Sequence, residues 1–320
     1  MDDIRWFAPE GFFALVVPRL RQRGVAIALD GDRPARLAIA MDARVAARAY
    51  AYAARARCPL IHYLWDLPPW RLGRGRHDWV WHVFGRYLRV PRLGRRYAER
   101  PGYYSRLRFV ASHAREVWVP SAQTAASVRE HWGMQCRRVP FCFDSDRFTP
   151  APAARARGLL SVSRLTAHKD HAAVIRAAAR FVPELPVRIV GSGPERAGLE
   201  RLAADLGVAC TIESGLSDDD MVMAYRRAEV VVCPSRFEGF GLTPMEAIAC
   251  GRPVVASDIP PHREFLGTAP HFFTVDDDDS LAAAIAAARA GPVPTDAVLR
   301  PLRIEAAVER FSAGLAPYLG

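Results

Sequence analysis

Two glutamates stand eight positions apart in the stretch Pro234-Ser235-Arg236-Phe237-Glu238-Gly239-Phe240-Gly241-Leu242-Thr243-Pro244-Met245-Glu246. The stretch starts where an apolar run, 230–233, ends. Gly239 and Gly241 let a loop approach a ligand closely. Thr243 reads as a helix N-cap, Pro244 as the first helical position and Gly251 as the stop. A glycine-containing loop that feeds a helix N-terminus offers free N–H groups and the positive end of a dipole, which suits a phosphate. Glu246 reads two ways: as the third helical position of a capping box opened by Thr243, or as a ligand group. Glu238 precedes a glycine at a strand-to-loop junction. A carboxylate buried there alone would be costly, so it calls for a hydroxyl, a cation or a ligand.

A second group with phosphate chemistry is Ser163-Arg164-Leu165-Thr166-Ala167-His168-Lys169, just after another apolar run. Two cations in one strand-to-helix loop can neutralise a diphosphate. Lys169 is the one lysine among 44 basic residues. A general drift towards arginine accounts for the other 43 but not for this survivor. Lysine is a compact point charge on a thin stem, and arginine is a broad fork. Gly191-Ser192-Gly193-Pro194 invites a dinucleotide reading, but Arg196 stands where the third glycine belongs, so a tight turn opening a helix fits better. The acidic runs 218–220 and 276–279 each precede a helix-like stretch, where carboxylates favour the dipole. They are not read as metal ligands, and no cofactor or metal is expected.

These residues need strands and helices to hold them. Apolar runs at 159–162, 187–190, 208–212, 230–233 and 253–256 alternate with helical patterns at about 170–182, 194–206, 218–228, 243–250 and 280–290. Such alternation predicts a parallel sheet covered on both faces, with ligands beyond the carboxyl ends of its strands. The first half repeats this less clearly, with strand candidates at 4–7, 25–29, 37–40, 60–64 and 117–119. The expected fold class is α/β, with two Rossmann-like doubly wound domains facing across a cleft. The expected domains are 1–149 and 159–300, joined by a proline-containing linker, 150–158, with a last helix within 301–320. At 320 residues and 50% hydrophobic content the chain can bury a full core, which excludes disorder. No export signal or membrane span is read, and the six cysteines form no Cys-x-x-Cys pair, so a cytoplasmic protein with reduced thiols is expected.

The ordered set Ser163-Arg164 to Lys169, Gly191-x-Gly193-Pro194, Pro234-Ser235, Glu238 to Glu246 and Gly251-x-Pro253-Val254-Val255-Ala256 resembles the nucleotide-sugar-dependent glycosyltransferases of family 4. These are retaining enzymes of the GT-B architecture, and the likeness spans about 158–290. It implies that Glu246 binds the donor ribose hydroxyls and Glu238 the transferred sugar near its anomeric centre. Gly239, Phe240, Gly241, Leu242 and Thr243 would offer amides to sugar and phosphate, beside Gly191, and Arg164 and Lys169 would hold the diphosphate. The first half is a looser match. Pro140 to Phe148 resembles the family's hinge segment without its asparagine-glycine. In the strand 59–66, Trp65 takes the place of a common histidine, and His62 lies three positions earlier. Asp66, at that strand's carboxyl end, is the candidate there, either as a catalytic group or as a loop cap.

Charge separates the halves: residues 1–150 carry +13 and 151–320 carry −3. The segment 71–108 has eleven arginines against Asp78 and Glu99. Within it Trp79/Val80, Val83/Phe84 and Tyr87/Leu88 fall on one helical stripe. It reads either as an interfacial helix for an anionic membrane surface or as a helix packed on its own domain, with nucleic acid ranked last. The expectation is a glycosyltransferase, cytoplasmic or peripheral on the inner membrane face. It would move a sugar from a nucleotide-sugar donor to a hydroxyl acceptor, lipid-linked or otherwise anionic, as in polysaccharide or glycolipid assembly. The rivals are a non-catalytic nucleotide-sugar or nucleic-acid binding protein and an NAD-dependent oxidoreductase.

Overall fold

A computed structural model describes residues 2–8, 12–29, 34–68, 103–153 and 157–319. The aromatic stripe of 79–88 and most of the basic segment lie outside the described residues, as do linker positions 154–156. The chain divides into two compact units: 1–141 with 307–320, and 142–306. Pro150 and Pro152 lie inside the second unit.

The first unit holds a six-stranded parallel sheet in the order β2-β1-β3-β4-β5-β6. Its strands are β1 (Asp2–Phe7), β2 (Ile27–Ala28), β3 (Ala35–Ala40), β4 (Leu60–Tyr63), β5 (Glu116–Val119) and β6 (Arg137–Arg138). Helices α1 (Phe12–Gln22), α2 (Ala43–Ala56), α3 (Tyr103–His113) and α4 (Ala122–Trp132) fall between them. Ser121 caps α4 by accepting from the Thr124 N–H at 3.2 Å, and Gly133 closes it at φ 68°. β4 stops at Tyr63, so the alternation expected to run on to Trp65 and Asp66 ends two residues short of Trp65. The Trp65 indole instead donates to the Met41 carbonyl at 2.5 Å.

The second unit runs β7 (Leu159–Val162), α5 (His171–Phe181), β8 (Val187–Val190), α6 (Arg196–Asp205), β9 (Cys210–Glu213), α7 (Asp218–Arg227), β10 (Val230–Cys233), α8 (Leu242–Ala249), β11 (Val254–Ser257), α9 (Pro260–Leu266), β12 (His271–Phe273) and α10 (Asp278–Ala290). Its sheet, also parallel, has the order β12-β11-β10-β7-β8-β9. β10 is three valines and a cysteine, Val230 to Cys233, buried on both faces, as a central parallel strand requires. The last helix, α11 (Ile304–Leu319), enters the first unit from Ala307 onward. There Phe311 packs between Trp6 and Trp118, with ring centroids 5.8 and 5.6 Å apart.

Both acidic runs sit at helix starts. Asp218, Asp219 and Asp220 form the first turn of α7 behind its cap Ser217. Asp277 caps α10 by accepting from the Ser280 N–H at 2.8 Å, and Asp278 takes both Arg176 donors at 2.8 and 3.0 Å. No helix among the described residues is long and apolar enough to cross a membrane.

Candidate active site

The order of the second sheet changes direction between β7 and β10. A doubly wound sheet leaves a crevice at the carboxyl ends of such a strand pair. The loops after β7 and β10 are 163–169 and 234–241, so the fold brings the two chemistry-bearing stretches together. Lys169 Nζ reaches Glu238 Oε1 at 2.5 Å, with both side chains mostly buried. Burial alone would push the Glu238 carboxyl up. The charge of Lys169 and hydrogen bonds from Lys169 and Ser235 outweigh this and hold it below the ordinary range. Glu238 is therefore an anion with a partner, as its position requires. Lys169 is committed to it in this state. The Arg164 side chain is exposed and pairs with no described residue.

Glu246 differs. Its carboxyl accepts from the buried Tyr225 hydroxyl at 2.7 Å. Burial raises it to about 7, with the negative charge of Asp144 adding to the rise and the Tyr225 bond opposing it. Two carboxylates eight residues apart are thus pushed in opposite directions, which is the pattern of groups with different tasks. The capping box expected over Thr243 to Glu246 does not form. The helix starts two residues earlier than that box requires, at Leu242, behind Gly241 at φ 86°. The Thr243 hydroxyl donates to the Val162 carbonyl at 3.0 Å and so ties α8 to the end of β7. Sequence alone could not foresee a competing acceptor 81 residues away.

Further bonds lock the loops. The Arg236 N–H donates to the His168 carbonyl at 2.8 Å, and its guanidinium bridges Asp170 and Asp276. The Ser257 hydroxyl, ending β11, donates to the Ser235 carbonyl at 2.5 Å. Behind β8, the Leu165 N–H donates to the Ser192 carbonyl at 2.9 Å. A Cβ on Gly191 would sit 1.8 Å from the Ser163 carbonyl oxygen, and one on Gly193 2.2 Å from that of Leu165. The Gly-x-Gly pair therefore exists for backbone to pass over backbone. The Arg196 side chain, in the place of a third glycine, bonds Glu200 at 2.8 Å and the Ile212 carbonyl at 2.6 Å.

His262, on α9, belongs to none of the motifs in the sequence, and it follows two prolines, Pro260 and Pro261. Proline suits the first helical positions, and a short helix starts there. His262 Nδ1 donates to the Ser257 carbonyl at 2.9 Å, which leaves Nε2 a buried acceptor with no partner among the described residues, against Gly241. In the first unit, Asp66 lies beyond the end of β4 and is partly buried. His62 is fully buried with neither ring nitrogen bonded to a described residue, and burial lowers it to about 4 despite the opposing charge of Asp42.

Residues 143–297 match the family described as Glycosyl transferases group 1. Over 141 residues the chain is 38% identical to the GDP-mannose-dependent alpha-(1-6)-phosphatidylinositol monomannoside mannosyltransferase of Mycolicibacterium smegmatis, which covers 37% of this chain and 37% of that one. Over 178 residues it is 34% identical to the D-inositol 3-phosphate glycosyltransferase of Geodermatophilus obscurus, covering 47% of this chain and 39% of that one. The aligned part is thus under two fifths of these relatives' lengths. The Anabaena protein Alr3699/HepE, solved with UDP and glucose, has a TM-score of 0.73 over 99% of this chain and 100% of its own, at 15% identity. That likeness shows a shared fold, with two Rossmann-like sheets of the GT-B type.

Proposed function

We propose, from the premise that residues 143–297 are a glycosyltransferase group 1 domain, that the chain moves a sugar from a nucleoside diphosphate sugar to an acceptor hydroxyl with retention, as in family 4. The observation that carries this reading is the Lys169–Glu238 pair at the switch point, with Glu246 on the helix that follows. In this reading Glu246 grips the ribose diol, and Glu238 lies by the transferred sugar. The amides from Gly239 to Thr243 and the free cation Arg164 receive the diphosphate, with Lys169 between Glu238 and the departing phosphate. The bond from the anomeric carbon to the diphosphate oxygen breaks, and the electron pair leaves with the diphosphate. The acceptor oxygen bonds to the same face, and its proton passes to a phosphate oxygen. Fixed positive groups stabilise the charge that develops on the leaving group. The interlocked loops keep these groups in place before the donor arrives. In this proposal the cations do the work a metal would do, and Asp66 is the candidate on the first unit.

Thermal-shift screening in EDTA against UDP, GDP, ADP and their sugars tests the donor site. One of them is expected to stabilise the fold by roughly 2–4 kcal/mol at saturation. No shift with any of them sinks the reading. A lipid-linked or anionic acceptor, met at the cytoplasmic membrane face, is supported by the charge of 71–108 and by the phosphatidylinositol mannoside in the name of the Mycolicibacterium relative. Co-sedimentation with anionic liposomes is expected and should weaken in salt and in Arg86/Arg89/Arg92→Glu. Equal, negligible binding to anionic and neutral liposomes removes this part of the proposal.

A further inference from the structure

The Tyr225 phenol is fully buried yet ends on a carboxylate that is only partly so. Its hydroxyl donates to Glu246 Oε2 at 2.7 Å. The ring has little freedom. Phe148 meets it edge-on with centroids 5.6 Å apart. The next residue, Arg226, bonds both the carbonyl and the hydroxyl of Thr149, at 2.9 and 3.0 Å. The end of α7 is thus pinned to the segment 148–149, and the phenol is aimed from there at α8. A glutamate on the first turns of a helix would otherwise choose among rotamers or turn back to cap its own helix, and Glu246 does neither.

We propose that Tyr225 is a positioning residue for the donor nucleotide, fixing the Glu246 carboxylate in the orientation that grips the cis-diol of a ribose. The proposal rests on the donor reading given above. One lone pair of Oε2 is taken by Tyr225, and the rest of the carboxylate is left to accept from two vicinal hydroxyls. The grip needs the ionised carboxylate. The Tyr225 bond is the one influence that favours ionisation against burial and the charge of Asp144. Removing the hydroxyl therefore moves the acidic limb of donor binding to higher pH.

Tyr225→Phe keeps the ring and its packing. The native chain, Tyr225→Phe, Glu246→Gln and the double variant are titrated calorimetrically with UDP, GDP and ADP and with their 2′-deoxy counterparts, from pH 6 to 9. For the diphosphate that binds, Tyr225→Phe is expected to weaken the ribose form about 5- to 10-fold. It should weaken the 2′-deoxy form less than about 2-fold and shift the acidic limb upward. In the Glu246→Gln background the second substitution should add nothing. Loss of affinity that is equal for ribose and deoxyribose, with an unmoved limb, marks Tyr225 as merely structural and overturns the proposal. So does an unchanged Tyr225→Phe while Glu246→Gln abolishes the preference for ribose. If Glu246→Gln itself keeps that preference, or no diphosphate binds the native chain, the donor reading falls and this proposal with it.

Discussion

At the carboxyl ends of the second sheet, polar groups meet across loops: Lys169 with Glu238, and the hydroxyls of Thr243 and Ser257 with the carbonyls of Val162 and Ser235. At the corresponding ends of the first sheet, rings cluster, and their polar tips bond backbone carbonyls: Tyr63 to Val139 and Trp65 to Met41. Trp65 packs on Tyr63 and Phe141 at 4.9 and 5.1 Å, and the buried His62 hydrogen-bonds to none of the described residues. Two buried histidines make the contrast sharp, for both are lowered to about 4, chiefly by burial. His171, in the second unit, has a serine hydroxyl on each nitrogen, Ser161 at 3.0 Å and Ser163 at 2.8 Å. Equal strand counts and equal strand direction thus leave open which sheet carries chemistry. That is decided by which loops cross-link their polar groups ahead of a ligand.

The comparison breaks first where the second unit's loops are forced apart. Gly191→Ala places a methyl group inside the van der Waals shell of the Ser163 carbonyl, and a stability loss of about 3 kcal/mol or more is expected in urea titration. A loss below about 0.5 kcal/mol would mean that the loops are not interlocked. Next, Lys169→Met strips Glu238 of its partner. Transfer, once a donor is identified, should fall about 100-fold or more. Lys169→Arg should fail to restore it, since a fork does not replace a point charge at 2.5 Å.

Glu246→Gln should weaken nucleotide binding about 10- to 50-fold while making the unliganded protein more stable at pH 8. The sign follows from the raised carboxyl, near 7 when folded and 4.5 when unfolded. The folded state holds an extra proton between those values, so stability is full below pH 4.5 and is lost as pH rises through 7. The loss is at most about 3 kcal/mol, and glutamine avoids it. A lower melting temperature for Glu246→Gln at pH 8 would contradict this. The smallest effect concerns His62. Its folded value near 4 lies below the ordinary 6.5, so protons favour the unfolded chain as pH falls from 6.5 towards 4. His62→Leu should remove about 2 kcal/mol of the stability lost between pH 7 and 5. An acid transition unchanged in this variant would locate the sensitivity elsewhere.

The second unit was legible because its strands are continuous apolar runs, and β7, β8 and β10 fall where those runs do. β6 and β12 escaped because two arginines and a histidine with two phenylalanines carry no such signal. Glu238, Glu246, Arg164 and Lys169 stood out by type and spacing. Tyr225 and His262 did not, because each matters through a partner that only the fold supplies. Tyr225 lies 21 residues before Glu246, on another helix. His262 touches Gly241 from beyond the next strand.

Because α11 returns to the first unit, the residues 142–306 are an uninterrupted run, whereas the first unit is assembled from 1–141 and 307–320. On the ribosome, the core of the second unit therefore has all its pieces before that of the first does. Until α11 is made, the hydrophobic slot that takes Phe311, lined by Trp6, Tyr63, Trp118 and Phe141, has no occupant. Closing it joins residues some 300 positions apart, a contact of high order that forms slowly and exposes apolar surface while it waits. In the order of synthesis, the unit that begins later in the sequence is the first to have all its residues.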